Sequence, residues 1–230
     1  MHFVLVHGSY HGPWCWDLLR PELERYGHRV TCPELPISDP TAGGAEYAQA
    51  VIEAVDWSDE PVVVGHSMAG VVIPLIPAKR PVRRLVYLCS FLPLPGMSVN
   101  EQRQAEPIDP TVAPSTAEWT DLGEGVWMVG PNTASEMFYP DLPPELAAWA
   151  IGQLRPQCYR VFDEKTPLAA LPSVASSYIV ARDDRALNPD WARAAARERL
   201  GIEAVEIDGG HSLFMTRPAE LAVMLNAIVQ

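Results

Sequence analysis

Six short runs of apolar, largely β-branched residues, at positions 3–6, 30–32, 62–64, 85–89, 177–181 and 204–207, alternate along this chain with stretches patterned for helix. Runs that are continuously apolar read as strands covered on both faces, and their alternation with helices predicts a parallel sheet, so the expected class is α/β. Helices are expected at 14–26, closed by Gly27, at 45–55, at 189–200, closed by Gly201, and at 218–229. In the last of these, Leu221, Leu225 and Ile228 recur at helical spacing, which predicts a face packed on the sheet.

The third run breaks into Gly65-His66-Ser67-Met68-Ala69-Gly70. A serine between small residues, after a strand and before an apolar segment, reads as a nucleophile elbow, a tight turn that lifts the hydroxyl clear of the sheet. Ala69 stands where the pattern usually has glycine. A helix should follow Ser67, but Pro74 and Pro77 fall inside it, so a short or bent one is expected.

A serine hydroxyl is a weak nucleophile near neutral pH and needs an imidazole to take its proton and a carboxylate to orient that imidazole. Six histidines are available. His7 and His11 border the first strand turn, His66 should point away from the Ser67 hydroxyl, and His2 and His28 sit at strand starts. His211 follows the last strand through Asp208-Gly209-Gly210, at the carboxyl edge of the sheet where open α/β sheets gather their reacting groups. The acid should come from the loop after the preceding strand, where Asp183 and Asp184 are adjacent. Asp184 is the choice, Asp183 serving to shape the turn and Asp208 being a weaker candidate. Two N–H donors for an oxyanion would come from Met68, next to the nucleophile, and Ser9, in the loop after the first strand.

Residues 91–171 interrupt the alternation with a Pro-rich stretch containing Trp119, Trp127 and Trp149 and no strong strand. Pro143-Pro144-Glu145 opens a helix there, and residues 134–138 read as another short one. The expected organisation is a core of residues 1–90 and 172–230 with 91–171 as a lid over the sheet.

The chain has 230 residues, 48% of them hydrophobic, enough for a sizeable core. A formal net charge of −12 argues against nucleic acid and anionic membranes as partners. The start of the chain lacks a basic n-region and a small-residue cleavage site, no apolar run is long enough to span a membrane, and Cys15, Cys32, Cys89 and Cys158 are widely spaced. Buried thiols in a cytoplasmic protein are therefore expected. His7 and His11 have a metal-binding helical spacing, but Gly8 and the strand before it argue against a helix, so no metal is expected. Nucleotide-binding glycine motifs are missing too, and no cofactor is expected.

The strings HFVLVHGSYHGPWCW, GHSMAG, CSFLP, YIVARDD and GGHS, spread over nearly the whole chain, resemble the α/β-hydrolases related to plant methylesterases and hydroxynitrile lyases. The resemblance implies a mostly parallel six-stranded sheet flanked by helices, a small helical lid over an apolar pocket, and a cofactor-free Ser67-His211-Asp184 triad with an oxyanion hole from Ser9 and Met68. The lyase branch carries threonine after the first histidine and lysine after the catalytic one. Here those positions are Gly8 and Ser212, which favours the esterase branch. The expected substrate is a small, mostly apolar carboxylic ester. The alternatives are a lyase, an enzyme acting on a lactone or thioester, or a small-molecule receptor on the same fold. A homodimer is an option the sequence leaves open.

Overall fold

The computed structural model describes residues 1–110, 114 and 117–230. Its strands are β1 (His2–Val6), β2 (Arg29–Thr31), β3 (Val62–His66), β4 (Arg84–Leu88), β5 (Trp119–Asp121), β6 (Val126–Val129), β7 (Gln157–Cys158), β8 (Ser176–Ala181) and β9 (Val205–Ile207). Six of them form one sheet in the order β2-β1-β3-β4-β8-β9, every pair parallel.

Alternation of side chains across the pleat divides the interior into two cores. Val4, Val6, Val63, Leu85, Tyr87, Tyr178 and Val180 face one, with α2 (Gly44–Ala54) and α7 (Pro189–Ala195) packed over them. Phe3, Leu5, Val62, Val64, Val86, Leu88, Ile179 and Ala181 face the other, under α1 (Leu19–Arg25) and α9 (Pro218–Ile228). Fully burying one such side chain is worth about 1.5–3 kcal/mol, so the two-sided pattern fixes the register of the strands more firmly than any single pair does.

The chain runs from β1 outward to β2, then returns past β1 to β3. The order of the strands therefore reverses between β1 and β3, and the crevice at such a switch point, outside the carboxyl ends, is where open α/β sheets bind ligands. The loop after β1 and the turn after β3 both open there.

Two helical expectations need correction, and a third keeps its bounds with a local widening. Residues 14–26 split into a 3-10 turn, Pro13–Trp16, and α1, because proline at the first position starts a tight turn that ends within one revolution. After Ser67 come only 3-10 turns, Ser67–Val71 and Ile73–Leu75, separated where Pro74 fixes the backbone and removes a donor. At the end of α7 the chain widens into a π-turn, Ala196–Leu200, before Gly201 closes it with a left-handed φ of 68°.

Residues 91–171 hold α3 (Val99–Ala105), α4 (Pro131–Phe138), α5 (Pro144–Gln153) and α6 (Arg160–Asp163); residues 111–113, 115 and 116 of this stretch lie outside the described ones. No strong strand was expected here, and the stretch holds three short ones: β5, β6 and β7 form a small antiparallel sheet. Each has only two to four residues and most are half-buried or exposed, so their pairing leaves little periodic signal. The last helix before α9 is the four-residue α8 (Leu213–Thr216). Among the described residues no helix is long and apolar enough to cross a membrane, and the four cysteines are unpaired.

Candidate active site

Three of the five non-glycine residues with left-handed backbone among the described residues lie at one rim of the sheet. Tyr10, Ser67 and Cys89 have left-handed φ values of 64°, 53° and 45°, and they follow the adjacent strands β1, β3 and β4. A non-glycine residue there costs about 1–3 kcal/mol, which surrounding contacts must offset. The contacts at Ser67 are visible. Its carbonyl accepts from the Phe91 N–H at 3.1 Å and from Ser90 Oγ at 3.1 Å. Ser90 is held in turn by Tyr178, whose hydroxyl donates to the Ser90 carbonyl and accepts from the Ser90 N–H at 3.2 Å.

The turn is crowded on the sides where it has glycine. A Cβ on Gly65 would meet Ile73 at 2.9 Å, and one on Gly70 would lie 1.9 Å from the Phe91 carbonyl oxygen and from Ser90 Oγ. Ala69, in contrast, fits its methyl into the core with no exposure. The departure from glycine at 69 is absorbed, and the demand for a missing side chain falls on position 70.

His211 and Asp184 meet. The His211 Nδ1–H donates to Asp184 Oδ2 at 2.8 Å, with Oδ1 at 3.0 Å, and both side chains are almost wholly buried. Asp184 is fixed by the Ala186 and Leu187 N–H groups at 2.8 and 2.9 Å. Its neighbour Asp183 is exposed, and Asp208 pairs with Arg182 at the surface. His211 Nε2 is buried and has no hydrogen-bond partner among the described residues. The loop ahead of His211 is tied by the Gly210 N–H to Asp141 Oδ2 at 2.9 Å.

His66 links this pair to the serine turn. Its Nε2–H donates to the His211 carbonyl at 3.1 Å, and the two rings lie 4.5 Å apart. Burial, with His211 and His11 adding to it, holds the His66 imidazole well below the usual value. On the other side of Ser67 sits the loop after β1. A Cβ on Gly8 would lie 2.8 Å from both Ser67 Cβ and His66 Nδ1, so glycine lets this backbone rest on the serine.

That loop is set by two histidines. His7 donates from Nδ1 to the Gly8 carbonyl at 2.9 Å and accepts at Nε2 from the Leu35 N–H at 3.2 Å. His11 donates from Nδ1 to the Ser9 carbonyl at 2.7 Å and accepts at Nε2 from the Tyr139 hydroxyl at 2.8 Å. Each ring is used as one donor and one acceptor, and burial pushes His11 down to about 3.

Ser9 and Ser67 line a cavity of about 60 Å³ together with Tyr10, Phe91, Arg103, Trp119, Met137, Phe138, Tyr159, Phe162 and Ala186. Most of this wall is aromatic or aliphatic, as expected. Two polar features were not legible in the sequence: a Tyr10–Tyr159 hydroxyl pair at 2.9 Å, and the guanidinium of Arg103. Tyr139 and Ser90 were missed as well, since each acts through a partner distant in sequence or through the backbone.

Comparisons with known proteins agree on the family. The family model described as "Alpha/beta hydrolase family" matches residues 3–223. The chain is similar to an alpha-hydroxynitrile lyase of Arabidopsis thaliana, 31% identical over 99% of this chain and 96% of the relative. Salicylic acid-binding protein 2 of Nicotiana tabacum is 28% identical over 97% and 95%. Among solved structures, polyneuridine aldehyde esterase superposes with a TM-score of 0.83 at 21% identity, covering 100% of this chain and 99% of that one. Matched over nearly its full length by sequence and by architecture, the chain belongs to the alpha/beta hydrolase family.

Proposed function

We propose that this protein is a serine hydrolase of small carboxylic esters, with Ser67 as nucleophile, His211 as general base and Asp184 as the group that orients the imidazole. The observation that carries the reading is the one-sided engagement of His211: Nδ1 is locked onto Asp184, while the buried Nε2 has no hydrogen-bond partner among the described residues, and His66, the residue before the strained Ser67, ties the same histidine to the turn. An imidazole held in that tautomer is ready to take a proton at Nε2. Apo sites commonly tighten the nucleophile–base contact only when substrate binds.

In this reading Ser67 Oγ attacks the ester carbonyl carbon while its proton passes to His211 Nε2. The N–H groups of Met68 and Ser9 receive the oxyanion. As the tetrahedral intermediate collapses, the alcohol leaves with the proton from His211. Water then attacks the acyl-enzyme, His211 taking its proton and returning one to Ser67. The tight cavity supports a small acyl part, and residues 91–171, which supply most of its wall, serve as the lid.

The Arabidopsis relative favours a second reading, cyanohydrin cleavage. Against it stands position 8, where the lyase branch would carry threonine. Here even a methyl group would meet Ser67 and His66 at 2.8 Å. One experiment separates the two: hydrolysis of p-nitrophenyl acetate and of methyl and aryl esters, and cyanide release from mandelonitrile, by wild type, Ser67→Ala and Asp184→Asn. The expected result is ester turnover lost in Ser67→Ala and lowered roughly 10⁴-fold in Asp184→Asn, where the tautomer is wrong. Ester turnover unchanged in Ser67→Ala overturns the proposal, and cyanide release without ester turnover installs the second reading.

A further inference from the structure

A cation in the wall of an otherwise apolar cavity calls for a reason. Arg103 is on α3, whose start is fixed by a reciprocal cap: Ser98 Oγ accepts from the Glu101 N–H at 3.1 Å and Glu101 accepts from the Ser98 N–H at 2.8 Å. From there its guanidinium carbon reaches 5.2 Å from the Phe91 ring centroid and 5.5 Å from that of Phe162. Both rings line the same cavity as Ser67. Asn100 Oδ1 accepts from Nη1 at 3.2 Å, and Nε lies 3.1 Å from Asp109 Oδ1. The guanidinium side chain is 28% exposed, whereas Asp109 is 63% exposed and stands in water. An ion pair so exposed on one side is weak, so the guanidinium can exchange this partner for another anion at small cost.

The second polar feature points the same way. In the Tyr10–Tyr159 pair, two hydroxyls 2.9 Å apart use one proton between them, so one phenolic O–H remains to donate. The residues lining the cavity thus include a guanidinium and a phenol hydroxyl, both donors, among apolar rings. A group that gains from this wall is rich in acceptors and negatively charged.

We infer that Arg103 is a specificity-determining residue that receives a carboxylate at the far end of the acyl chain, so that the preferred substrates are half-esters of short dicarboxylic acids. The inference deepens the ester-hydrolase reading and rests on it for the chemistry. Packing on Phe91 and Phe162 alone would also hold an arginine here, but packing does not discriminate between a charged and a neutral substrate.

The test compares monomethyl with dimethyl esters of malonate, succinate and glutarate, a series that varies how far the free carboxylate stands from the ester carbonyl. Wild type is expected to favour one half-ester over its diester in kcat/KM. Arg103→Met, which keeps the stem on the two rings, should lower the half-ester by about ten- to a hundredfold, the range of a charge-assisted hydrogen bond, and change the diester less than about twofold. Asp109→Asn, which removes the competing carboxylate, should raise the half-ester preference. An equal effect of Arg103→Met on both esters, or a wild-type preference for every diester, overturns the inference. Calorimetric titration with the free dicarboxylates gives a readout independent of turnover. If no ester is hydrolysed but succinate or glutarate binds wild type and not Arg103→Met, the hydrolase reading fails and the anion site stands. Equal binding by both proteins removes the site.

Discussion

Ser67 is held in a left-handed backbone conformation by contacts that come from outside its own turn, and this makes its neighbours as informative as the serine. Its carbonyl is received by Phe91 N–H and Ser90 Oγ, the same two residues whose oxygens sit where a Cβ of residue 70 would go. Gly70→Ala is therefore expected to force the loop after β4 away from the elbow. The clash involves a backbone oxygen, which cannot rotate aside, so the cost should reach the upper end of the roughly 1–3 kcal/mol of an overpacked core. In a chain of this length each kcal/mol lowers Tm by about 2–4 °C, so a thermal melt showing a fall of at least several degrees, with activity lost in proportion to the displaced turn, checks it. An unchanged Tm would mean that the elbow is not anchored where its hydrogen bonds lie. The methyl group of Ala69, packed one residue earlier without exposure, is the internal control for the claim that position, not glycine content, matters.

Elements differ in how openly they announce themselves, and the difference has a physical cause. The four inner strands of the parallel sheet were legible because burial on both faces demands uninterrupted apolar runs, whereas the edge strands β2 and β9, mostly half-buried or exposed, were legible by their place in the strand–helix alternation. The strands β5–β7 were not, since two to four half-exposed residues pair across a small sheet and carry no period. Helix was over-read after Ser67, where Pro74 and the packing of Gly70 against Phe91 confine the chain to 3-10 turns. At the site, Ser67, Asp184 and His211 stand out because each follows a strand at its carboxyl end. Arg103 is hidden: its sequence neighbours Glu101, Gln102 and Gln104 look like a solvated helix, and its aromatic partners come from other elements. The helix α5 offers a prediction of opposite sign to the elbow. Gly152 lies in its last turn, exposed, with a right-handed backbone and nothing within 4 Å of the place a methyl group would take. Gly152→Ala should stabilise the protein by about 0.4–1 kcal/mol, chiefly by restricting the unfolded chain. Urea denaturation with a raised midpoint and an unchanged slope is the expected result, and a lowered midpoint would contradict it.

Across the whole molecule, the switch point between β1 and β3 draws three buried imidazoles into one place, with His11 and His66 at 6.0 Å and His66 and His211 at 4.5 Å between ring centroids. Two of them, His11 and His66, have values held below the usual 6.5, chiefly by burial, with repulsion from the neighbouring imidazoles adding to it and a backbone bond opposing it. The sign of the consequence follows from linkage. Well above pH 6.5 both the folded and unfolded chains leave these rings neutral, and they contribute nothing. As pH falls through 6.5 the unfolded chain takes up protons that the folded one refuses, so stability declines, and for His11 the decline continues down to about pH 3. Each unmatched proton is worth about 1.4 kcal/mol per pH unit, so two histidines give a limiting slope near 3 kcal/mol per unit. His2, lowered chiefly by burial at the start of β1, acts in the same direction. Carboxylates such as Glu206, pulled down to about 2 by Arg193 and Arg182, enter only as pH approaches their unfolded value near 4.5, so the window from 6.5 to 5 belongs to histidine. Urea midpoints measured between pH 7.5 and 5 should therefore fall steeply in that window, and His11→Gln, although less stable at pH 7.5, should show a slope smaller by about one proton. A flat profile in wild type, or a slope untouched by His11→Gln, would mean that these rings accept protons in the folded protein, and that the hydrogen bonds of His11 to Ser9 and Tyr139 do not fix its neutral form.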